Sequence, residues 1–169
     1  MRNLQVKYKN GEDAQNLVGS CAVLAIAAAK GMRYEDATEW TLKNLYACGT
    51  TTIAGRKHIK GVRLWNAMSS LKGLAKESVT IRYDKNDAAV NSYEDKAAEL
   101  AFRCDLNNVD KIDGKVVKIS TFAKNNPTGR HIIIARGHAI AVVHGVVVNN
   151  GNPNESYKNQ IVQQSISFK

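Results

Sequence analysis

One cysteine of this sequence lies where a helix is expected to begin. Cys21 follows Gly19-Ser20 and precedes a run rich in alanine that ends before Gly31. At the first turn of a helix, backbone N–H groups and the helix dipole favour an anion, the form in which a cysteine attacks a carbonyl. The amide of Gln15 can fold back and, with the Cys21 N–H, bind a developing oxyanion; Asn16 is the alternative. Taken alone, the segment also fits a buried structural cysteine.

A histidine and an asparagine in a distant segment supply the other groups that such a nucleophile needs. His138 opens an apolar run directly after Gly137, and Asn149 ends the next run eleven residues later. An imidazole can take the thiol proton, and an amide across a hairpin can hold the ring in the required tautomer. Together they have the general form of an activated-nucleophile site. Asn150 is adjacent, so the orienting residue is not uniquely assigned.

The other cysteines predict neither a disulfide framework nor a metal site. The chain has three cysteines, an odd number, and no CxxC pair. A zinc site would need a set such as Cys48, His58 and Cys104, which lacks the paired spacing of zinc ligands. We therefore expect no metal and no cofactor, and we interpret Cys48 and Cys104 as small buried side chains.

The charge of the chain favours acidic partners without requiring them. The net charge is +9 and the pI is near 9.5, with a basic run between Arg56 and Arg63. A surplus of this kind attracts nucleic acid but also keeps proteins soluble. Because no RNA-binding aromatic motif accompanies the run, we predict a solvated helix face there, with His58 facing solvent. His131 and His144 are expected at turns or strand surfaces.

The elements that position these residues predict an α+β fold in one domain, residues 1–169. Helices are expected over residues 22–30, 35–46, 62–71 and 93–103, and a helical turn capped by Ser120 or Thr121 is expected up to 125. Strands are expected over residues 78–83, 116–119, 131–135, 138–143 and 146–148, with a further edge strand within 161–168. The first helix is apolar nearly all round, which predicts that it is buried. Helices first and antiparallel strands afterwards give the α+β order.

The motifs around the candidate residues resemble a known superfamily. Val18-Gly19-Ser20-Cys21-Ala22 resembles the cysteine loop of papain-like peptidases, and residues 137–149 are similar to their histidine and asparagine strands. More closely, the chain resembles small papain-like proteins encoded by bacteriophages. The shared patterns are Cys-x-Val-x-Ala-Ile-Ala from Cys21, Gly-x-x-Tyr-Glu-Asp from Gly31, and Thr-Phe-x-x-x-x-Pro-x-Gly-Arg from Thr121. The resemblance covers about a third of the chain, at its two ends.

This resemblance implies a fold and an activity. The fold is papain-like, with the helix of Cys21 packed on a C-terminal antiparallel sheet. The activity is that of a cysteine hydrolase (peptidase, isopeptidase or deamidase) with a Cys21–His138–Asn149 triad, Gln15 in the oxyanion hole and a thioester intermediate. The substrate would be a protein or peptide, derived from the host if the chain is phage-encoded.

The alternative hypothesis keeps the fold and removes the activity. A catalytically inactive papain-fold protein could use its basic face to engage nucleic acid or a host protein. For either hypothesis we expect a cytoplasmic protein, in the host cytoplasm if it is phage-encoded. The N-terminal residues lack a signal-peptide core, and the longest apolar run, residues 22–29, is too short to span a bilayer.

Overall fold

The chain folds as a mixed α+β structure, as the sequence predicts. The computed structural model describes residues 5–14, 20–45, 47, 49–62, 79–84, 109–112, 117–135, 138–148, 158–162 and 164–168. The helices within these ranges are α1 (Cys21–Lys30), α2 (Tyr34–Asn44) and α3 (Ile119–Asn125). The strands are β1 (Thr50–Ile53), β2 (Arg56–Ile59), β3 (Val79–Asp84), β4 (Val109–Ile112), β5 (Arg130–Ala135), β6 (His138–Val143), β7 (Val146–Val147) and β8 (Gln164–Phe168).

Six of these strands form one sheet in the order β4-β3-β8-β5-β6-β7, and β1 and β2 form a separate hairpin. β3 and β4 are parallel, and every other pair in the sheet is antiparallel. The predicted edge strand near the C-terminus is wrong in its position. β8 lies inside the sheet, where Ile166 pairs with Ile81 on one side and with Ile132 on the other. Both edges of β8 are therefore hydrogen-bonded.

Helix α1 forms the centre of the core, which confirms the prediction from its composition. All its residues from Ala22 to Ala29 are buried except Ala28, which is half-buried. Gly31 ends the helix with a φ of 66°, and the N–H of Met32 bonds to the carbonyl of Ala27 at 2.8 Å. A left-handed residue that returns N–H groups to the last carbonyls is the usual way to close a helix.

The two faces of the β5–β6 hairpin bury two separate apolar clusters. One face, here called the α1 face, packs on α1 through Ile132, Ile134, Ala139, Ala141 and Val143. The opposite face, the α3 face, packs on α3 through Ile133, Ala135, Ile140 and Val142. Burial on both faces explains why these strands are continuous apolar runs rather than alternating ones.

The basic run is a strand and not the predicted helix. Arg56–Ile59 forms β2, which pairs with Thr50–Ile53 across a turn in which Ala54 and Gly55 have φ of 49° and 75°. Turns with positive φ at both central residues match the twist of a two-stranded hairpin. The β-branched threonines of β1 suit a strand. The hairpin therefore decides the conformation of the basic residues.

Two local predictions around α3 are also wrong. Ile119 begins α3 and does not end a strand, and Lys118 forms only an isolated bridge to Ile161. The residue at the N-cap is Lys118 and not Ser120 or Thr121.

The predicted helices over 62–71 and 93–103 fall outside the described residues, apart from residue 62. No helix in the described part of the chain is long and apolar enough to cross a membrane.

Candidate functional site

The candidate nucleophile is the first residue of α1. Ser20 occupies the N-cap, and its carbonyl accepts the first helical hydrogen bond, from the Leu24 N–H at 3.0 Å. Cys21 is half-buried and its side chain packs against the core cluster on the α1 face. The first N–H groups of a helix have no partner within the helix, so they are available to a group at its N-terminus. Cys21 is thus a half-buried residue at the start of a helix.

The candidate base is the first residue of β6. His138 is exposed, whereas the five residues that follow it in the strand are buried. It pairs with Ala135, the last residue of β5, and the two residues between them lie outside the described part of the chain. His138 therefore lies at the end of the β5–β6 hairpin where the chain passes from one strand to the other, opposite the end formed by Arg130 and Val143.

Packing of α1 on the sheet brings Cys21 and His138 to the same end of the structure. At the far end of α1, a guanidinium N–H of Arg130 points to the carbonyl oxygen of Ala29 at 3.4 Å. Arg130 pairs with Val143, the last residue of β6. The end of the helix thus lies beside the end of the strand, and the two run in the same direction. Their starts, Cys21 and His138, therefore both point toward the other end of the hairpin.

The lengths of the two elements agree with this placement. A helix of ten residues rises ~13.5 Å from its first to its last residue. A strand of six residues extends by ~17 Å. The two elements therefore have similar lengths, to within a few ångströms. Sequence spacing alone does not provide this alignment.

The strand register places the His138 backbone so that its side chain starts on the α3 face. Its partner Ala135 packs in the α3-face cluster, and Ile140, two residues further along the strand, packs there as well. Paired residues of an antiparallel ladder share a face, and residues two apart do the same. Cys21 belongs to the α1 face. The imidazole therefore reaches the sulfur only by turning around the end of the strand.

The other proposed site residues lie outside the described part of the chain. These are the orienting residue Asn149 with its alternative Asn150, and the oxyanion residue Gln15 with its alternative Asn16. The last described residue before the asparagines is Val148, whose N–H bonds to the carbonyl of Ala141 at 2.9 Å. The roles of the asparagines and of Gln15 stay predictions.

His58 is buried, contrary to the prediction that it faces solvent. Its side chain is 3 % exposed, and its Nδ1 lies 2.6 Å from the hydroxyl of Tyr34, a residue with no exposed surface. Burial, with a contribution from Arg56, lowers the pKa of His58. Burial also raises the pKa of Tyr34 to about 12. At neutral pH the phenol therefore keeps its proton and can donate it to Nδ1 of a neutral imidazole.

The remaining histidines divide between a strand and a turn. His131 is 8 % exposed, packs edge-on against Phe122, and has its Nδ1 2.8 Å from the Ser167 hydroxyl. The prediction that His131 lies at a turn or an exposed strand surface is therefore wrong, because α3 covers the face of β5 that carries it. His144 lies in the β6–β7 turn with a φ of 48° and is exposed, which confirms the prediction for this residue.

The basic run on β2 faces carboxylates within the described structure. Arg56 lies 3.3 Å from Glu12 and 3.9 Å from Glu35, and its guanidinium stacks 4.0 Å from the ring centre of Tyr8. Lys57 lies 4.0 Å from Glu39. These contacts offset part of the positive charge that the sequence assigns to this segment. The binding of nucleic acid or a host protein by a basic face stays a prediction.

The described residues also line a cavity that sequence reasoning missed. It has a volume of about 470 Å³ and lies at the C-terminal end of α1, the end away from Cys21. Its lining combines residues of five separate segments, which are Gln5, Val6, Lys7, Ala27, Ala28, Gly31, Met32, Arg33, Arg130, Val143, His144 and Val148. No local sequence signal could reveal it, because the tertiary fold brings these segments together.

Comparison with known proteins returns no relative: no family model, no curated protein and no solved structure matches this chain. Within the described ranges, no group of three or more histidine, cysteine or acidic residues is placed to hold a metal ion. Of the zinc set considered from the sequence, Cys48 and Cys104 lie outside those ranges, and His58 bonds to Tyr34.

Proposed function

We propose that this chain is a papain-like cysteine hydrolase, with Cys21 as nucleophile and His138 as general base. Asn149 orients the imidazole and Gln15 contributes to the oxyanion hole in this proposal. The observation that supports it is the common direction of α1 and β6, because Cys21 and His138 are the first residues of these two elements. The papain-like fold and the activity are both part of the proposal.

The reaction follows from the chemistry of the two side chains. The Cys21 sulfur attacks a carbonyl carbon while its proton passes to the His138 imidazole. Backbone N–H groups at the start of α1, with the Gln15 amide, bind the oxygen that becomes negative. His138 then gives the proton to the departing amine, the C–N bond breaks, and a thioester forms on Cys21. Water, deprotonated by His138, attacks the thioester; the C–S bond breaks, the acid is released, and His138 returns the proton to the Cys21 sulfur.

The proposal places a geometric demand on His138. Its backbone starts on the α3 face, so the imidazole must turn around the strand end to face the sulfur on the α1 face. His138 is exposed and terminal in its strand, and both properties leave the side chain room to turn. Catalytic hydrogen bonds in free enzymes are often long and tighten when the substrate binds. The substrate class in the proposal is a protein or peptide carbonyl, from a host protein if the chain is phage-encoded.

The test is the rate at which Cys21 reacts with iodoacetamide at pH 7, measured by peptide mass spectrometry with Cys48 and Cys104 as internal references. We expect Cys21 to react at least tenfold faster than either, since an adjacent base and a helix start both promote thiolate reactivity. His138→Ala should remove most of this advantage. The matched control is His144→Asn, which changes an exposed histidine at the other end of β6 and retains a residue that tolerates positive φ.

Two results would contradict the proposal. In the first, Cys21 reacts no faster than Cys48 and Cys104. In the second, His138→Ala and His144→Asn change its rate equally, which would mean that His138 has no particular relation to the sulfur. Circular dichroism of each variant confirms that the fold is retained.

A further inference from the structure

The cavity at the C-terminal end of α1 has an uneven chemical lining. Its apolar part comes from Ala27, Ala28 and Met32 at the helix end and from Val143 and Val148 beside them. Its polar part comes from Gln5 and from basic side chains. A concave site of this volume falls in the range of small-molecule pockets, which combine an apolar lining with a few polar groups.

The charged groups of the lining all have the same sign. Lys7, Arg33 and Arg130 contribute basic side chains, and His144 belongs to the same lining. Among the described lining residues there is no aspartate or glutamate. Lys7 also pairs with Asp13 outside the lining, so the two arginines carry most of the uncompensated charge. A cleft lined by one sign of charge concentrates ions of the opposite sign.

The helix end that faces the cavity does not cancel this charge. The last carbonyls of a helix carry a partial negative charge when they have no partner. Here the N–H of Met32 bonds to Ala27 at 2.8 Å and the N–H of Gly31 to Ala28 at 3.4 Å. Arg130 reaches the Ala29 carbonyl at 3.4 Å. These donors therefore satisfy part of the hydrogen-bonding capacity of the last carbonyls and reduce their negative partial charge.

The rim of the cavity is held in place by the backbone. His144 has a φ of 48°, and its N–H bonds to the carbonyl of Gly129 at 2.8 Å, which ties the β6–β7 turn to the residue before Arg130. Gly31 fits against Arg130 so closely that an added Cβ would lie 3.3 Å from the guanidinium. The turn and the Arg130 backbone are therefore held by hydrogen bonds of the fold itself, which lowers the entropy cost of binding.

We propose that this cavity binds a small organic anion, with its acidic group at Arg33 and Arg130 and its apolar part against the residues from α1, β6 and Val148. A guanidinium presents a planar fork of N–H groups that matches a carboxylate or another oxyanion. Arg130 uses one N–H for the Ala29 carbonyl, and the others remain for the ligand. The site lies at the opposite end of α1 from Cys21, so the proposal of anion binding does not depend on the proposed cysteine chemistry.

The test compares two fluorescent probes that differ in charge, titrated into the full chain at low salt. The anionic probe is 8-anilinonaphthalene-1-sulfonate, and the neutral one is N-phenyl-1-naphthylamine, which lacks the sulfonate. We expect the anion to bind at least tenfold more tightly. Competition by octanoate and by inorganic phosphate distinguishes an anion with an apolar part from an oxyanion alone, and the proposal requires octanoate to compete better.

Variants locate the binding to the cavity. Arg33→Ala removes an exposed cation of the lining and should weaken binding of the sulfonate probe at least fivefold. The matched control is Lys124→Ala, which removes an exposed cation from the last turn of α3, outside the lining. Equal affinity for the two probes overturns the proposal. Equal weakening by Arg33→Ala and Lys124→Ala overturns it as well, since binding would then follow the net charge and not the site.

Discussion

Two glycines in equivalent turns provide a direct test of the packing between the β6–β7 turn and the rest of the molecule. Gly55 and Gly145 are each the second residue of a two-residue hairpin turn, with φ of 75° and 76°. A Cβ added at Gly55 would meet nothing within 4 Å. The same atom at Gly145 would lie 3.2 Å from the Pro127 Cα and 3.3 Å from the Ala123 carbonyl oxygen. The two alanine substitutions therefore differ in sterics and not in φ.

The expected magnitudes follow from these contacts. An alanine at positive φ costs ~1–2 kcal/mol, and the loss of glycine freedom in the unfolded chain offsets roughly 0.4–1 kcal/mol of that. Gly55→Ala should thus lower the free energy of unfolding by about 0.5–1 kcal/mol, from the same two terms. At Gly145 both neighbours are backbone atoms that cannot rotate away, and overpacking adds roughly 1–3 kcal/mol. Gly145→Ala should therefore cost ~1.5–4 kcal/mol, the net strain expected for Gly55→Ala plus the overpacking.

The assay is urea denaturation of the original chain and both variants, followed by circular dichroism. The midpoint should fall much further for Gly145→Ala than for Gly55→Ala, with the slope m unchanged in both variants. In a thermal melt, a difference of about 2 kcal/mol between the variants corresponds to ~4–8 °C for a chain of this size. Equal losses in the two variants would refute the close contact between the β6–β7 turn and the segment from Ala123 to Pro127.

Two further predictions concern the buried pair of Tyr34 and His58. Tyr34→Phe removes the donor to a buried imidazole nitrogen and should lower the free energy of unfolding by about 2–3 kcal/mol. The control is Tyr8→Phe, which retains the ring packed edge-on at 5.2 Å from Tyr34. The control variant should lose less stability. Similar losses in chemical denaturation would contradict this account. Because the pKa of His58 is lower in the folded chain than in the unfolded one, its contribution to stability is complete above pH ~6.5 and is lost as pH falls through the folded value. The loss of stability between pH 7 and pH 5.5 should therefore be smaller in His58→Gln, and an equal loss in both proteins would rule out His58 as its source.

The tertiary structure contradicts sequence reasoning mainly where a partner is distant along the chain. The basic run predicts a solvated surface because its residues are charged. His58 is nevertheless buried against Tyr34, which lies 24 residues earlier in the chain. The C-terminal strand has the alternation of an edge strand, yet β8 pairs on both sides, with β3 and with β5. The sequence of each segment does not show which distant residue or strand it contacts, because such contacts depend on how the whole chain packs.

The cavity and the relative positions of Cys21 and His138 both result from packing between segments that are distant along the chain. Cys21 and His138 each have a recognisable local context, but their placement at one end depends on the direction in which α1 packs on β6, which the contact between Arg130 and Ala29 reveals. The face on which the His138 side chain starts depends on its register with Ala135. Spacing along the chain carries neither kind of information.

The sequence by itself determined the elements whose causes are local. An apolar run closed by Gly31 specifies α1, because helix burial and a left-handed cap both follow from neighbouring residues. The apolar runs divided by His144-Gly145 specify β6 and β7 for the same reason, since a tight turn needs positive φ. Only the tertiary structure decided the order of the strands, the burial of His58 and the common end of Cys21 and His138, because these depend on packing between segments far apart in the chain.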